Sequence, residues 1–263
     1  MIPPPVCAPE ANPRRVAPPD PSARSEAGAA MEPEEKRAFV QQLFTSIAPR
    51  YDWFNRLASG GLDQRWRHRA LLLGGVAPGQ RVLDVCAGTG DLAILCRRRQ
   101  QGLGTVIGID RNHAMLALAR RKQRARQLAI GWLQGDAERL PFPSESFDRV
   151  LIGFSTRNLS QLAAGLQEML RVLRPGGRLI ILETGYPANP VVRLGYQLFL
   201  LTVARAIGFI LTGRAWPFTY LARSVREFLA PPQMVECLRR LTARVQYVPL
   251  TYGLASLYLA TKA

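Results

Sequence analysis

Apolar residues along this chain come in short continuous runs separated by longer helical stretches. From residue 81 onward "RVLDVCA", "TVIGID", "IGWLQGD", "FDRVLIGFS" and "GRLIILETG" read as buried strands, and "DLAILCRRR", "HAMLALARRKQRAR" and "LAAGLQEMLRVL" read as helices between them. Apolar strands that alternate with helices predict a parallel sheet covered on both faces. Between the third and fourth strands a proline-bearing loop, "AERLPFPSES", stands where a helix would be expected. The C-terminal "RVQYVPLTYGLASLYLATKA" predicts two strands joined by a short turn, an antiparallel pair at the sheet edge.

The flanks follow other patterns. Residues 1–30 are rich in Pro, Ala and Arg and lack an apolar signal core, so a disordered tail is expected there, followed from Met31 by an acid-rich helix start, "EPEEKRAFVQQLF". The most apolar segment lies between Pro187 and Pro217 and is punctuated by Arg193, Arg205 and Arg214. It reads as too interrupted to span a bilayer. It suits a lid (residues 187–230), an interfacial helix on lipid, or a surface packed on the sheet or in a homodimer. With 263 residues and 48% hydrophobic content, residues 31–263 are long enough for one large α/β domain.

Charge changes the picture more than composition does. A net charge of +16 favours an anionic partner, either nucleic acid or an anionic membrane surface, or serves solubility alone. The runs "RRR" at 97–99 and "RRKQRAR" at 120–126 fall at predicted helix ends, where cations suit the dipole, so they are weak signs of a binding patch. Four cysteines without CxxC or Cys/His spacing argue against a disulfide frame or a zinc site, and no metal is implied. A cytoplasmic location is the simplest expectation.

In open α/β sheets ligands bind beyond the carboxyl ends of the strands. There the chain places Asp84 before a glycine turn, Asp110 after the second strand and Asp136 after the third. Asp110 lies 20 residues past Gly90, the spacing at which a carboxylate meets ribose hydroxyls. The turn itself, "AGTGDL", is neither G-x-G-x-x-G nor a Walker sequence, and Asp91 sits where a pyrophosphate would be received. A carboxylate there repels phosphate, although capping the helix is the plainer role for Asp91 alone. The ligand is then a nucleoside without phosphates. S-adenosylmethionine fits, with ribose at Asp110, adenine near Asp136, and its cationic end near Asp84, while Gly88 and Gly90 let backbone approach it.

The ordered set "VLDVCAGTGD", "GID", "GDAERLPFPSESFD" and "RVLRPGGRLIILE" resembles class I methyltransferases, which implies a Rossmann-like, mostly parallel seven-stranded sheet. Three further segments, "IAPRYDWFNRLASGGLDQRWR", "GFSTRNLS" and "FTYLARSVREFLAPPQM", narrow the likeness to the C-methyltransferases of menaquinone and ubiquinone biosynthesis, over residues 35–263. Where that family usually carries Met, His and Ser, this chain has Phe54, Asp63 and Gly185. The resemblance implies cofactor contacts at Thr89, Asp110, Asp136 and Ala137, and a helical cover over residues 31–78 that bears "YDWFN". It further implies C-methylation of a polyprenylated quinol, demethylmenaquinol or a benzoquinol, by an enzyme in peripheral contact with the membrane.

Such chemistry needs a stabilised phenolate beside the methyl donor. Arg157 is placed to be its fixed cation, with Asn158 and Tyr51 orienting the ring oxygens. His68 is a weak candidate base, and His113 reads as a helix cap or adenosine neighbour. A nucleic-acid methyltransferase would explain the charge, but "GFSTRN" stands where base amino-methylation uses Asn/Asp-Pro-Pro-aromatic, so no nucleic acid is expected. A cofactor-binding regulator without catalysis is disfavoured by the polar residues retained around the methyl position.

Overall fold

The computed structural model describes residues 31–263 except Tyr186 and Ala243, so the expected N-terminal tail lies outside the described residues. Three helices come first: α1 (Pro33–Ile47), α2 (Tyr51–Ser59) and α3 (Leu62–Leu73). Gly60 and Gly61 turn the chain between α2 and α3 at φ of 58° and 78°, a left-handed pair that non-glycine residues avoid.

The alternating region then forms β1 (Arg81–Val85), α4 (Asp91–Arg99), β2 (Thr105–Asp110), α5 (His113–Ala125), β3 (Gly131–Gln134), β4 (Phe147–Gly153), α6 (Leu162–Arg171) and β5 (Leu173–Thr184). No helix joins β3 to β4, in line with the proline-bearing loop. The insert follows as α7 (Pro190–Phe199), a π-helical stretch (Leu200–Ala204), α8 (Arg205–Thr212) and α9 (Trp216–Glu227). The chain closes with α10 (Pro231–Arg239), β6 (Arg244–Leu250) and β7 (Ala255–Thr261).

The seven strands lie in the order β3-β2-β1-β4-β5-β7-β6. β7 runs antiparallel to both β5 and β6, so the C-terminal hairpin does close one edge and the other six strands share a direction. Successive strand residues bury on opposite faces: Leu83, Leu179 and Ile181 join one apolar core, Val82, Ile180 and Leu182 the other. Trp132 of β3 covers the bare Cα atoms of Gly90 and Gly108, where an added Cβ would come within 2.5 and 2.3 Å of its ring.

A third apolar cluster stands apart from the sheet. Phe39, Leu43 and Ile47 of α1 and Phe54 of α2 pack on Leu200, Ala204, Phe218, Ala222 and Val225 of the insert. The rings of Phe54 and Phe218 meet at 4.4 Å.

The insert corrects one expectation. Arg193 and Arg205 do not interrupt it: Pro190–Thr212 is a continuous helical segment of 23 residues, within which an 18-residue stretch has mean hydropathy 1.7, long and apolar enough by composition to cross a bilayer. Arginine is a good helix former, and the π turn carries the hydrogen bonding across the middle. One side of this helix is packed; on the other, Val191, Leu194, Leu198, Leu201 and Ile210 are exposed.

Gly208 marks how closely α8 meets α9, since a Cβ there would lie 2.2 Å from the Phe218 ring, whereas one on Gly195 of α7 would meet nothing within 4 Å. Gly208→Ala is expected to destabilise the protein by about 1–3 kcal/mol. Gly195→Ala is expected to be neutral or to stabilise by up to about 1 kcal/mol. Thermal denaturation compares the two, and equal effects would contradict this packing.

Candidate active site

Two cavities meet beyond the carboxyl ends of β1, β2, β3 and β4. The first is a polar cleft lined by Asp84, Gly88, Thr89, Asp110, Asp136 and Ala137, six of the seven positions expected at the cofactor. Gly90 is not on the lining: it is the N-cap of α4, and its missing side chain makes room for Trp132.

Each acid is fixed by the backbone around it. Asp110 accepts the Gly88 N–H at 2.8 Å and the Asn112 N–H at 2.7 Å, which ties the end of β2 to the glycine turn. Asp136 accepts the Glu138 N–H at 2.9 Å and faces Arg111 at 3.3 Å. Asp84 accepts the Ala93 N–H at 2.9 Å, and burial pushes its carboxyl up to about 7. Gly88, at φ of 54°, has open space where a Cβ would stand.

Several side chains do other work than expected. Asp91 does not cap α4: it receives Lys122 of α5, Arg56 of α2 at 3.1 Å and Gln64 of α3 at 3.3 Å. Burial pushes its carboxyl up, but Lys122 and Arg67 outweigh burial and hold it below its ordinary value. Thr89 is likewise engaged, donating to Asp52 at 2.6 Å and accepting from Lys122 at 3.1 Å. Asn112, not His113, caps α5. His68 and His113 are exposed and line neither cavity.

The second cavity is apolar, about 440 Å³, and is enclosed between the first helices and the insert by Leu43, Ile47, Phe54, Tyr196, Leu200 and Phe218. Two of the three family departures, Phe54 and Asp63, lie on its wall. The third, Gly185, has no room for a side chain, since a Cβ would fall 1.9 Å from the Gly253 carbonyl oxygen. Phe44, Tyr51 and Asn158 line both cavities and form the partition between them.

Arg157 stands in the apolar cavity as an ion pair with Glu183, whose carboxylate also accepts the Thr156 hydroxyl at 2.6 Å, the Thr184 N–H at 2.8 Å and the Thr184 hydroxyl at 2.9 Å. Burial disfavours the guanidinium cation, and Glu183 more than restores it. Arg157 Nε and Asn158 Nδ2 are buried donors with no partner among the described residues. Tyr220 donates to Asn158 Oδ1 at 3.2 Å. Burial raises the Tyr51 hydroxyl above its ordinary value, so it stays a donor. The chain reaches this loop through Phe154 at φ of 58°, a left-handed conformation that a bulky residue rarely adopts. Its backbone is held by an N–H bond to Leu182 at 2.6 Å and by Arg157, which donates to its carbonyl at 2.9 Å.

Sequence reasoning missed Glu183, Lys122 and Arg67. Glu183 carried a readable signal, an acid closing an apolar strand like Asp110. Lys122 was hidden in a basic run, and Arg67 in "QRWRHR" had no signal at all.

A narrow polar cleft with strand-end acids, joined through a polar partition to an apolar chamber, defines a class I methyltransferase that uses S-adenosylmethionine. The chain belongs to the ubiE/COQ5 methyltransferase family, whose sequence model matches residues 30–262. It is 41% identical over 229 residues to the demethylmenaquinone methyltransferase of Deinococcus radiodurans, covering 87% of this chain and 95% of that one. The demethylmenaquinone methyltransferase of Thermus thermophilus is 40% identical, with 84% and 100% covered. The ubiquinone/menaquinone biosynthesis C-methyltransferase UbiE of Pseudomonas putida is 37% identical, with 88% and 91% covered. Among solved structures, a SAM-dependent methyltransferase from Aquifex aeolicus superposes with a TM-score of 0.57 at 19% identity, over 75% of this chain and 89% of its own. The [4+2]-cyclase SpnF does so at 0.60 and 18% identity, over 89% and 97%. That a cyclase shares the fold shows why the reaction must be argued from the site.

Proposed function

We propose that the protein methylates a ring carbon of a polyprenylated quinol, converting demethylmenaquinol to menaquinol. The observation that carries this reading is the shared partition of Tyr51 and Asn158, which brings an apolar chamber suited to a prenylated ring against the cofactor cleft. The two most similar relatives named above carry the demethylmenaquinone name, which favours the naphthoquinol. A benzoquinol of ubiquinone biosynthesis is the second reading, favoured by the name of the Pseudomonas relative.

S-adenosylmethionine supplies an electrophilic methyl group on a sulfonium. The protein's part is to make the quinol carbon nucleophilic and to aim it. The free Nε of Arg157 and the free Nδ2 of Asn158 donate to the ring oxygens, so the phenolate form is stabilised in a site that excludes water. Arginine keeps its proton and the phenol proton leaves to solvent; once the methyl is on the ring, the carbon gives up its own proton and the oxygen regains one, so one proton is released per transfer. Asp110 and Asp136 take the ribose and adenine, Asp84 faces the cationic end, and α1, α2 and α3 act as the cover while residues 187–230 act as the lid.

The exposed face of α7 and α8 lies outside this chamber, and Arg193, Arg205 and Arg214 flank it. We read it as an interfacial contact with an anionic bilayer on its cytoplasmic side, where a prenylated substrate dissolves. A homodimer through the same face is the alternative occupant.

Methyl transfer from labelled S-adenosylmethionine, under reducing conditions, is expected with a short-tailed demethylmenaquinol and not with its benzoquinol counterpart or with tRNA. In the same assay Arg157→Ala is expected to lower kcat by about a hundredfold or more and to leave cofactor affinity within about twofold. Label in tRNA alone would overturn the reading.

Asp84 gives a pH signature. Its free carboxyl titrates near 7 because it is buried, and a cation beside it favours the ionised form. Binding below pH 7 therefore expels a proton, and affinity for S-adenosylmethionine falls as pH falls, by up to about tenfold per unit. Calorimetry from about pH 5.5 to 8.5 is expected to show this slope in the wild type and its loss in Asp84→Asn.

Flotation with anionic liposomes at low salt is expected to carry the protein, with release at high salt and reduced binding in Ile210→Asp. A concentration-dependent dimer that ignores liposomes would replace the membrane reading.

A further inference from the structure

The acids of the cleft account for the ribose, the adenine and the cationic end of S-adenosylmethionine, yet the amino-acid end of that molecule also carries a carboxylate. Nothing assigned so far receives it. Of the cations that line the cleft, Arg37 is ion-paired with Glu138 and Arg111 with Asp136, which leaves one without an ion pair among the described residues. Arg67, on α3, is only 7% exposed and lines the polar cleft, not the apolar cavity. Its Nε and Nη1 have no hydrogen-bond partner and its guanidinium makes no ion pair among the described residues. It lies over the Phe154 ring at 4.9 Å, which fixes its plane without using its donors.

Asp84 and Asp91 act on this guanidinium through their charge without hydrogen-bonding it, and buried donors left idle are costly unless something completes them. The strand order says which end of the ligand reaches it. Along the carboxyl edge, β3 with Asp136, β2 with Asp110, β1 with Asp84 and β4 with Phe154 stand in that sequence. A cofactor with its adenine at Asp136 and ribose at Asp110 runs out past Asp84 toward β4, where Arg67 waits. Phosphate is not the alternative, because Asp84 and Asp91 line the same end.

We infer that Arg67 binds the carboxylate of the amino-acid end of S-adenosylmethionine, with Asp84 balancing the adjacent ammonium. The inference rests on S-adenosylmethionine being the cofactor and adds a binding residue that the strand-end acids cannot supply. It makes the cleft zwitterionic, matched to an amino acid and not merely to a cation.

The test compares S-adenosylmethionine with its decarboxylated analogue, the same sulfonium bearing a propylamine, by calorimetry. The wild type is expected to bind the carboxylate-bearing ligand about ten- to a hundredfold more tightly. Arg67→Met is expected to lose that factor for S-adenosylmethionine alone, so that the ratio falls to one or below, the remaining acids favouring the more cationic analogue. Arg67→Lys is expected to restore part of the ratio. A ratio unchanged in Arg67→Met would overturn the assignment. So would a raised quinol KM with unchanged cofactor affinity, which would place the guanidinium on the substrate. Should Arg67→Met fail to fold, the wild-type ratio decides alone, since near-equal binding of the two ligands removes the need for any carboxylate partner. Failure of the wild type to bind either ligand would instead sink the cofactor reading itself.

Discussion

The ion pair of Arg157 and Glu183 is the constraint around which the site is organised. Glu183 is 1% exposed, and a carboxylate so deep is costly to bury unless it is ion-paired and fully hydrogen-bonded. Thr156, Thr184 and the Arg157 main chain supply the donors, which forces the β4 and β5 loops into one rigid unit. The left-handed turn at Phe154 brings the loop back so that Arg157 can reach Glu183. Lys36 of α1 then locks the same loop from above, donating to the carbonyls of Arg157 at 3.2 Å and Leu159 at 2.6 Å.

Whereas α3 packs Ala70 and Leu71 into the apolar core on the sheet, α1 and α2 are bound to their two neighbours by different forces. Toward the insert they are held by aromatic and aliphatic packing, Phe39, Leu43 and Phe54 against Phe218 and Leu200. Toward the sheet the ties are polar: Lys36 to the Arg157 loop, Arg37 to Glu138 at 2.7 Å, Asn112 to the Gln41 carbonyl at 3.0 Å, and Lys122 to Asp52 at 2.8 Å. Apolar packing makes these two helices and the insert one body. The polar seam beneath that body resembles the more polar interfaces between domains that move, and the cofactor cleft lies along it.

The sheet was legible because buried parallel strands and their helices write a strong periodic pattern, and the acids at strand ends follow from the general geometry of such sheets. The C-terminal hairpin was legible for the same reason. What failed to read was tertiary. Asp91 occupies a first-turn position that invites a capping role, yet three side chains from other elements claim it. That the space beside Gly90 belongs to Trp132, 42 residues later, was equally invisible. Arg67 could not be singled out among the many arginines, because only burial and the lack of a partner distinguish it. The insert misled in the opposite sense, since Arg193 and Arg205 interrupt the composition but not the helix.

The partition formed by Phe44, Tyr51 and Asn158 has a thermodynamic consequence. Side chains that face two ligands at once cannot settle for one without being preset for the other. Occupancy of the cleft and of the chamber are thereby linked, and any factor by which the quinol alters affinity for the methyl donor must be returned in full when the order is reversed. With the methyl donor in the cleft and the quinol in the chamber, as proposed, these three shared residues are where the two occupancies would be coupled.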